Sequence, residues 1–172
     1  WPSTWTQVSG SSTTVTLSNT GQYKIRARAV DNVDNTSAYK ESGTYQIDKQ
    51  APDSPTLTLS PDGWTNGDVT ATISGGNDAH SGIAKYQYSF DNTNWTDYSG
   101  AVTISNEGIT RIYARTVDKV GNVSASVYKD AKIERKAPYV SFNPNSKDWT
   151  SQNINVTITA SDTGGSGVKE FY

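Results

Sequence analysis

Val69-Thr70-Ala71-Thr72-Ile73, preceded by Trp64-Thr65, decides the fold of this chain, because the sequence contains it twice. Trp149-Thr150 followed by Ile154-Asn155-Val156-Thr157-Ile158 repeats it 85 residues further on. In both copies apolar residues alternate with Thr or Asn. Val69, Ala71 and Ile73 therefore share one face of an extended segment and the threonines share the other, the period-2 pattern of a half-buried strand.

The repetition continues on both sides. Ile47-Asp48-Lys49-Gln50-Ala51-Pro52 recurs as Ile133-Glu134-Arg135-Lys136-Ala137-Pro138, a spacing of 86. Ser81-Gly82-Ile83 recurs as Ser166-Gly167-Val168. Arg28-Ala29-Val30-Asp31, with Asn35 beyond it, recurs as Arg115-Thr116-Val117-Asp118 with Asn122, a spacing of 87. One repeat is therefore about 86 residues. Taking each Ala-Pro as a joint, 1–50 is the C-terminal half of one repeat, 51–136 is a complete repeat and 137–172 is the N-terminal half of the next. The sequence Gly167 to Tyr172 continued by Trp1 to Thr6 parallels Gly82 to Thr96. The chain reads as a window on a tandem array, and its two halves are expected to be complementary.

Composition supports an all-β reading. The 172 residues include 21 Ser, 22 Thr and 13 Asn, about a third of the chain, with 5 Trp and 10 Tyr. Such aromatic content is foreign to disordered chains, and Thr and aromatics suit a pleated surface. Charged residues are 19% and the net charge is −2, so nothing electrostatic favours nucleic acid or an anionic membrane. No apolar run approaches a membrane span and no signal peptide is read at the start. There is no Cys, no Met and one His. That excludes thiol nucleophiles, disulfides, thiolate metal sites and His-His metal pairs, and it fits a bacterial exported protein.

Strands are expected over 68–74 and 153–159, near 55–60, 84–90, 101–105 and 123–134, and around Tyr23–Ala29 and Arg111–Arg115. About seven short strands per repeat at 8–12-residue spacing mark a sandwich. Gly121 permits a left-handed turn, across which Asp118 can accept backbone N–H bonds. Ala-Pro-Asp-Ser-Pro at 51–55 is a stiff joint, since proline fixes φ and keeps its neighbour extended.

Lys85-Tyr86-Gln87-Tyr88-Ser89-Phe90-Asp91, then Trp95, Tyr98-Ser99-Gly100, Val102-Thr103-Ile104, Glu107-Gly108, Ile112-Tyr113-Ala114-Arg115 and Val117-Asp118 with Gly121-Asn122-Val123-Ser124 resemble the bacterial immunoglobulin-like tandem repeat. The resemblance spans the complete repeat and both halves. It implies tandem antiparallel immunoglobulin-like β-sandwiches in extracellular or cell-surface bacterial proteins, acting as spacers or binding modules. Two departures, Asp34 in place of the turn Gly and Trp1-Pro2-Ser3 before Trp5, are expected to make those loops differ between repeats.

Candidate chemistry is sparse. Asp31, Asp34 and Asn35, and Asn77, Asp78 and Asp162, offer oxygens to Ca²⁺, but no spacing matches a defined loop and such side chains ordinarily cap their own turns. Trp5 and Trp95 occupy matching positions, as do Trp64 and Trp149, so they read as module-building residues; Trp1, without a counterpart, is the aromatic that suits a glycan. Arg26, Arg28, Arg111 and Arg115 form an outward stripe of a solvated sheet face. His80 matches Gly165 and reads as a surface residue. Lys85 with Asn122 is a weak isopeptide pair, since Glu170 replaces Lys85 in the next repeat. The sequons at Asn35, Asn94, Asn122 and Asn155 arise readily in a chain this rich in Asn and Thr.

The expectation is a non-enzymatic structural module of a bacterial surface: a stalk, spacer, filament or surface-layer element whose partners are neighbouring repeats or copies, head to tail. Asp118, Gly121 and Asn122 build its turn, and Pro52 and Pro138 its joints. No cofactor is expected, Ca²⁺ being the one candidate. The alternative is an adhesin or carbohydrate-binding module using loop aromatics.

Overall fold

The structure, a computed structural model, describes residues 5–172. It contains strands and turns and no helix among the described residues, so no helix there is long and apolar enough to cross a membrane. Two compact units divide at Gln50/Ala51.

The first unit carries β1 (Gly21–Tyr23), β2 (Arg26–Ala27), β3 (Lys40–Glu41) and β4 (Tyr45–Ile47). β1 pairs antiparallel with β4 and β2 with β3. Together they form one interrupted hairpin, closed by a bridge between Val30 and Thr36. Ile25 is half-buried and Ala27 exposed, because no second sheet of this unit lies over them.

The second unit begins with β5 (Thr56–Ser60), β6 (Trp64–Thr65), β7 (Val69–Ser74), β8 (Ile83–Ser89), β9 (Thr96–Asp97), β10 (Val102–Ile104), β11 (Gly108–Asp118) and β12 (Val127–Ile133). They form two sheets, in the orders β10-β7-β5 and β6-β12-β11-β8-β9. All pairings are antiparallel except β6 with β12, which is parallel. The chain leaves the first sheet after β5 because Pro61 has no N–H to extend the ladder. Gly63, at φ 118°, then turns it onto the edge of the second sheet. This is an immunoglobulin-like β-sandwich, and its core is the set of inward faces read from the sequence. Leu57, Leu59, Val69, Ala71, Ile73 and Ile104 from one sheet meet Ile112, Ala114, Ala131 and Ile133 from the other.

The short β6 and β9 were not legible as strands, since two residues carry no period. The expected strand over 123–134 starts only at Val127, because Val123 and Ser124 are engaged in closing the turn after β11.

Residues beyond 136 add β13 (Tyr139–Asn143) and β14 (Thr157–Ser161), an antiparallel pair. The strand expected over 153–159 is thus formed only from Thr157 onward. Counted from Pro144 as from Pro61, Phe142 stands for Leu59, yet it pairs with Ile158 where Leu59 pairs with Ala71, the counterpart of Val156. The register is shifted by two residues. The loop from Pro144 to Trp149 is two residues longer than that from Pro61 to Trp64, and an even shift keeps every side chain on its face.

Candidate functional site

The turn after β11 is built around one carboxylate. Asp118 Oδ1 accepts the N–H of Val120 at 3.0 Å and of Asn122 at 2.8 Å, while Asn122 Nδ2 donates to Oδ2 at 2.7 Å. Burial pushes this carboxyl up, but the hydrogen bonds from the Asn122 side chain and the turn amides outweigh it, so it titrates below the ordinary Asp range. The first unit repeats the arrangement. Asp31 Oδ1 accepts from Val33 N at 3.0 Å and Asn35 N at 2.8 Å, and Asn35 Nδ2 donates to Oδ2 at 2.8 Å. The difference expected from Asp34 does not arise: Asp34 adopts φ 69° where Gly121 has 97°, because Asp tolerates the left-handed region. Below each turn a serine ties the strands together. Ser124 Oγ accepts from Thr116 N and Ser37 Oγ from Ala29 N, both at 2.9 Å. Sequence reasoning quoted Ser124 only within the repeat motif, gave neither serine a role and passed over Ser37, although their 87-residue spacing marks them.

The calcium candidates therefore face donors. Both oxygens of Asp31 are turned onto its own loop, with Asn35 as its side-chain partner, and Asp34 is exposed beside them. Asp78 Oδ1 accepts from His80 N at 3.1 Å and Gly82 N at 2.6 Å, and His80 itself is exposed. Lys85 pairs with Asp97 at 2.8 Å and Asn122 bonds Asp118, so both members of the isopeptide pair are engaged with an acid.

The arginine stripe is engaged rather than merely solvated. Arg115 lies over Trp95 and Arg28 over Trp5, the two tryptophans at matching positions. Arg111 makes a two-pronged bond to Asp130 at 2.7 and 3.0 Å and covers Tyr128, and Arg26 bonds Glu41 at 2.7 Å. Trp1 lies outside the described residues.

The joints differ. Pro52 is buried, and beyond it Asp53 N bonds Asn77 O at 2.8 Å and Ser54 Oγ bonds Ala125 O at 2.8 Å, so the linker is sewn to the complete repeat. Pro138 is exposed. Trp64 is half-buried, with Gly165 against its indole, whereas its counterpart Trp149 is fully exposed in a cleft with Lys147, Asp148 and Gln152.

The largest contrast is in the two copies of the opening stretch. Val69, Ala71 and Ile73 are 0, 0 and 5% exposed; Ile154, Val156 and Ile158 are 46, 48 and 46% exposed. Leu57 and Leu59 are 6 and 7% exposed; Val140 and Phe142 are 47 and 50%. The same apolar pattern is a core over 57–73 and an open surface over 140–158.

No protein-family model matches the sequence, and no curated protein matches it. Among solved structures the chain is similar to the PKD1 domain of Vibrio anguillarum Epp, at 20% identity and a TM-score of 0.38 over 51% of this chain and 98% of that one. It is also similar to carbohydrate-binding modules from the β-sandwich superfamily, at 20% identity and a TM-score of 0.42 over 56% of this chain and 45% of that one. The matched part is about half of that second structure. Both are likenesses of fold.

Proposed function

We propose that this chain is a structural module of a bacterial extracellular or cell-surface protein, a segment of a tandem immunoglobulin-like array that acts as a stalk, spacer or filament element. The carrying observation is the apolar face of Val140, Phe142, Ile154, Val156 and Ile158, open here and buried at the matching positions of the complete repeat. A sheet of the β11/β12 kind covers it in that repeat, and residues 21–47 of a second copy offer the same hairpin in the same register, Gly21 opposite Ile47 as Gly108 is opposite Ile133.

Magnitudes favour an array over free association. The five side chains are already about half covered, so completing their burial contributes on the order of 1 kcal/mol each. Joining two separate chains costs about 4–15 kcal/mol in lost freedom. Head-to-tail completion between separate copies is therefore weak, while the same contact within one covalent array is strong, because a short linker holds the partners at high effective concentration. A contact of this kind is heterologous and does not close, so it grows into a filament.

Sedimentation of the chain over a wide concentration range tests this. Weak open-ended growth is expected, confined to the highest concentrations because the contact between separate copies is weak; a monodisperse monomer at every concentration removes the head-to-tail part. The rival reading, a glycan-binding module, draws on the exposure of Trp149 beside Lys147, Asp148 and Gln152. Glycan binding lost on Trp149→Ala, with no self-association, favours that reading instead.

A further inference from the structure

Glu134 follows the last strand of the complete repeat, and its N–H bonds Thr65 O at 2.8 Å. The residue is 7% exposed. Its Oε2 accepts the N–H of Ser166 at 2.8 Å, but its Oε1 is shielded from solvent and has no hydrogen-bond partner. A buried carboxylate oxygen with neither donor nor cation is among the costlier groups a fold can hold. Opposite it stands Asp162, in the loop after β14. Asp162 Oδ2 accepts from Gly167 N at 2.7 Å and Ser166 Oγ at 3.2 Å, and Oδ1 accepts from Gly164 N at 3.2 Å. The two acids thus hold the successive amides of 166 and 167, which brings their carboxyl groups to the same short loop. Gly164 permits this approach: a Cβ there would overlap the Glu134 carboxyl. Among the described residues no Lys or Arg forms an ion pair with either acid.

We infer that Glu134 and Asp162 form a divalent-cation site of the Ca²⁺ class at the joint between the complete repeat and the strands that follow it. Two adjacent anions and an orphaned oxygen, with no cationic side chain between them, are satisfied by a hard cation that takes six to eight oxygens and accepts water for the rest. The arrangement has counterparts elsewhere in the repeat. An acid recurs at the Glu134 position, Asp48, 86 residues earlier in the sequence. Asn77 matches Asp162 in the sequence, but its neighbour Asp78 takes over the role in the complete repeat: Asp78 Oδ1 takes Gly82 N at 2.6 Å and Ser81 Oγ at 3.5 Å, the counterparts of the Gly167 and Ser166 donors. There a carboxylate oxygen of Asp78 lies within 4.8 Å of one of Asp118, so the turn acid of a full repeat stands at the same corner and is placed to add a third carboxylate. A cation bridging strand end and loop would stiffen the joint, which goes beyond the stalk reading and does not depend on self-association.

The test uses the full chain and Tb³⁺ as a luminescent stand-in for Ca²⁺. The Trp64 indole lies against Gly165 of the same loop and serves as the antenna. Saturable Tb³⁺ emission on indole excitation is expected, displaced by Ca²⁺ with a dissociation constant of roughly 10⁻⁴–10⁻³ M, the range of extracellular modules. Glu134→Gln keeps the shape and should weaken binding at least about tenfold. Melting in EDTA and in excess Ca²⁺ guards against a folding defect. The parent should gain several degrees with Ca²⁺, and Glu134→Gln should match or exceed the parent in EDTA and gain nothing. An equal Ca²⁺ gain in Glu134→Gln, or no Ca²⁺ effect on the parent, overturns the site. So does a parent that is stabilised by mild acid alone and indifferent to Ca²⁺, since the two carboxyls would then share a proton.

Discussion

The guanidinium of Arg115 lies 4.0 Å from the centre of the Trp95 ring. The preceding repeat contains the same pair, Arg28 at 4.6 Å over Trp5. An aromatic face already covered by a cation is not a free platform for a sugar ring, so these tryptophans serve the module. A desolvated cation–π pair contributes about 0.5–2 kcal/mol. Arg115→Ala should therefore lower the urea midpoint with a loss near 1 kcal/mol, and a double-mutant cycle with Trp95→Leu, which removes the aromatic face, should show coupling of similar size. Zero coupling would mean that the stacking is incidental.

Asp118→Ala should destabilise more than Asp31→Ala, although both carboxylates accept the same set of turn bonds. Asp118 is buried and Asp31 exposed, so water replaces the lost acceptor only at the second site. Thermal melting of the two variants reads the difference, and equal shifts would contradict it.

Acid should unfold the chain through these turns. Asp31, Asp91, Asp118 and Asp162 are all held below the ordinary Asp value of 3.8 by hydrogen bonds to the charged form. A lowered folded-state value contributes stability that is fully present above 3.8 and is lost as pH falls through the folded value. Urea midpoints should be flat from neutral pH until 3.8 is approached, fall between it and the folded-state values, and level off below them. The drop should be shallower in Asp118→Asn.

Ile112 and Ile25 stand at matching positions, but Ile112 is fully buried and Ile25 only half-buried. Ile112→Ala should cost about 2–5 kcal/mol, and Ile25→Ala clearly less. If residues 21–47 pair with another copy, the cost of Ile25→Ala should rise with protein concentration. Phe142→Asp should lower the monomer's melting temperature modestly, since the ring is half covered, and abolish any self-association at every concentration.

Much of this molecule was legible in its sequence. The alternation of Val69, Ala71 and Ile73 is a local property, set by the pleat, and it placed the inward face correctly in the complete repeat. Asp118 with Asn122 was legible as a turn because its hydrogen bonds span four residues. The same reading could not show that Asp34 accepts the left-handed conformation of Gly121, since a side chain's tolerance of that region depends on how firmly the rest of the turn is held.

What the sequence alone determined is the strand pattern and the turn chemistry, both carried by neighbours along the chain. The tertiary structure decided which copies of that pattern are buried. Ile73 and Ile158 occupy the same repeat position, yet one is core and the other surface, because burial depends on whether a second sheet lies opposite. It also decided that Glu134, 28 residues from Asp162 in the chain, meets it across the joint with one oxygen unpaired. Contacts of that kind are set by packing between strands, which no local period encodes.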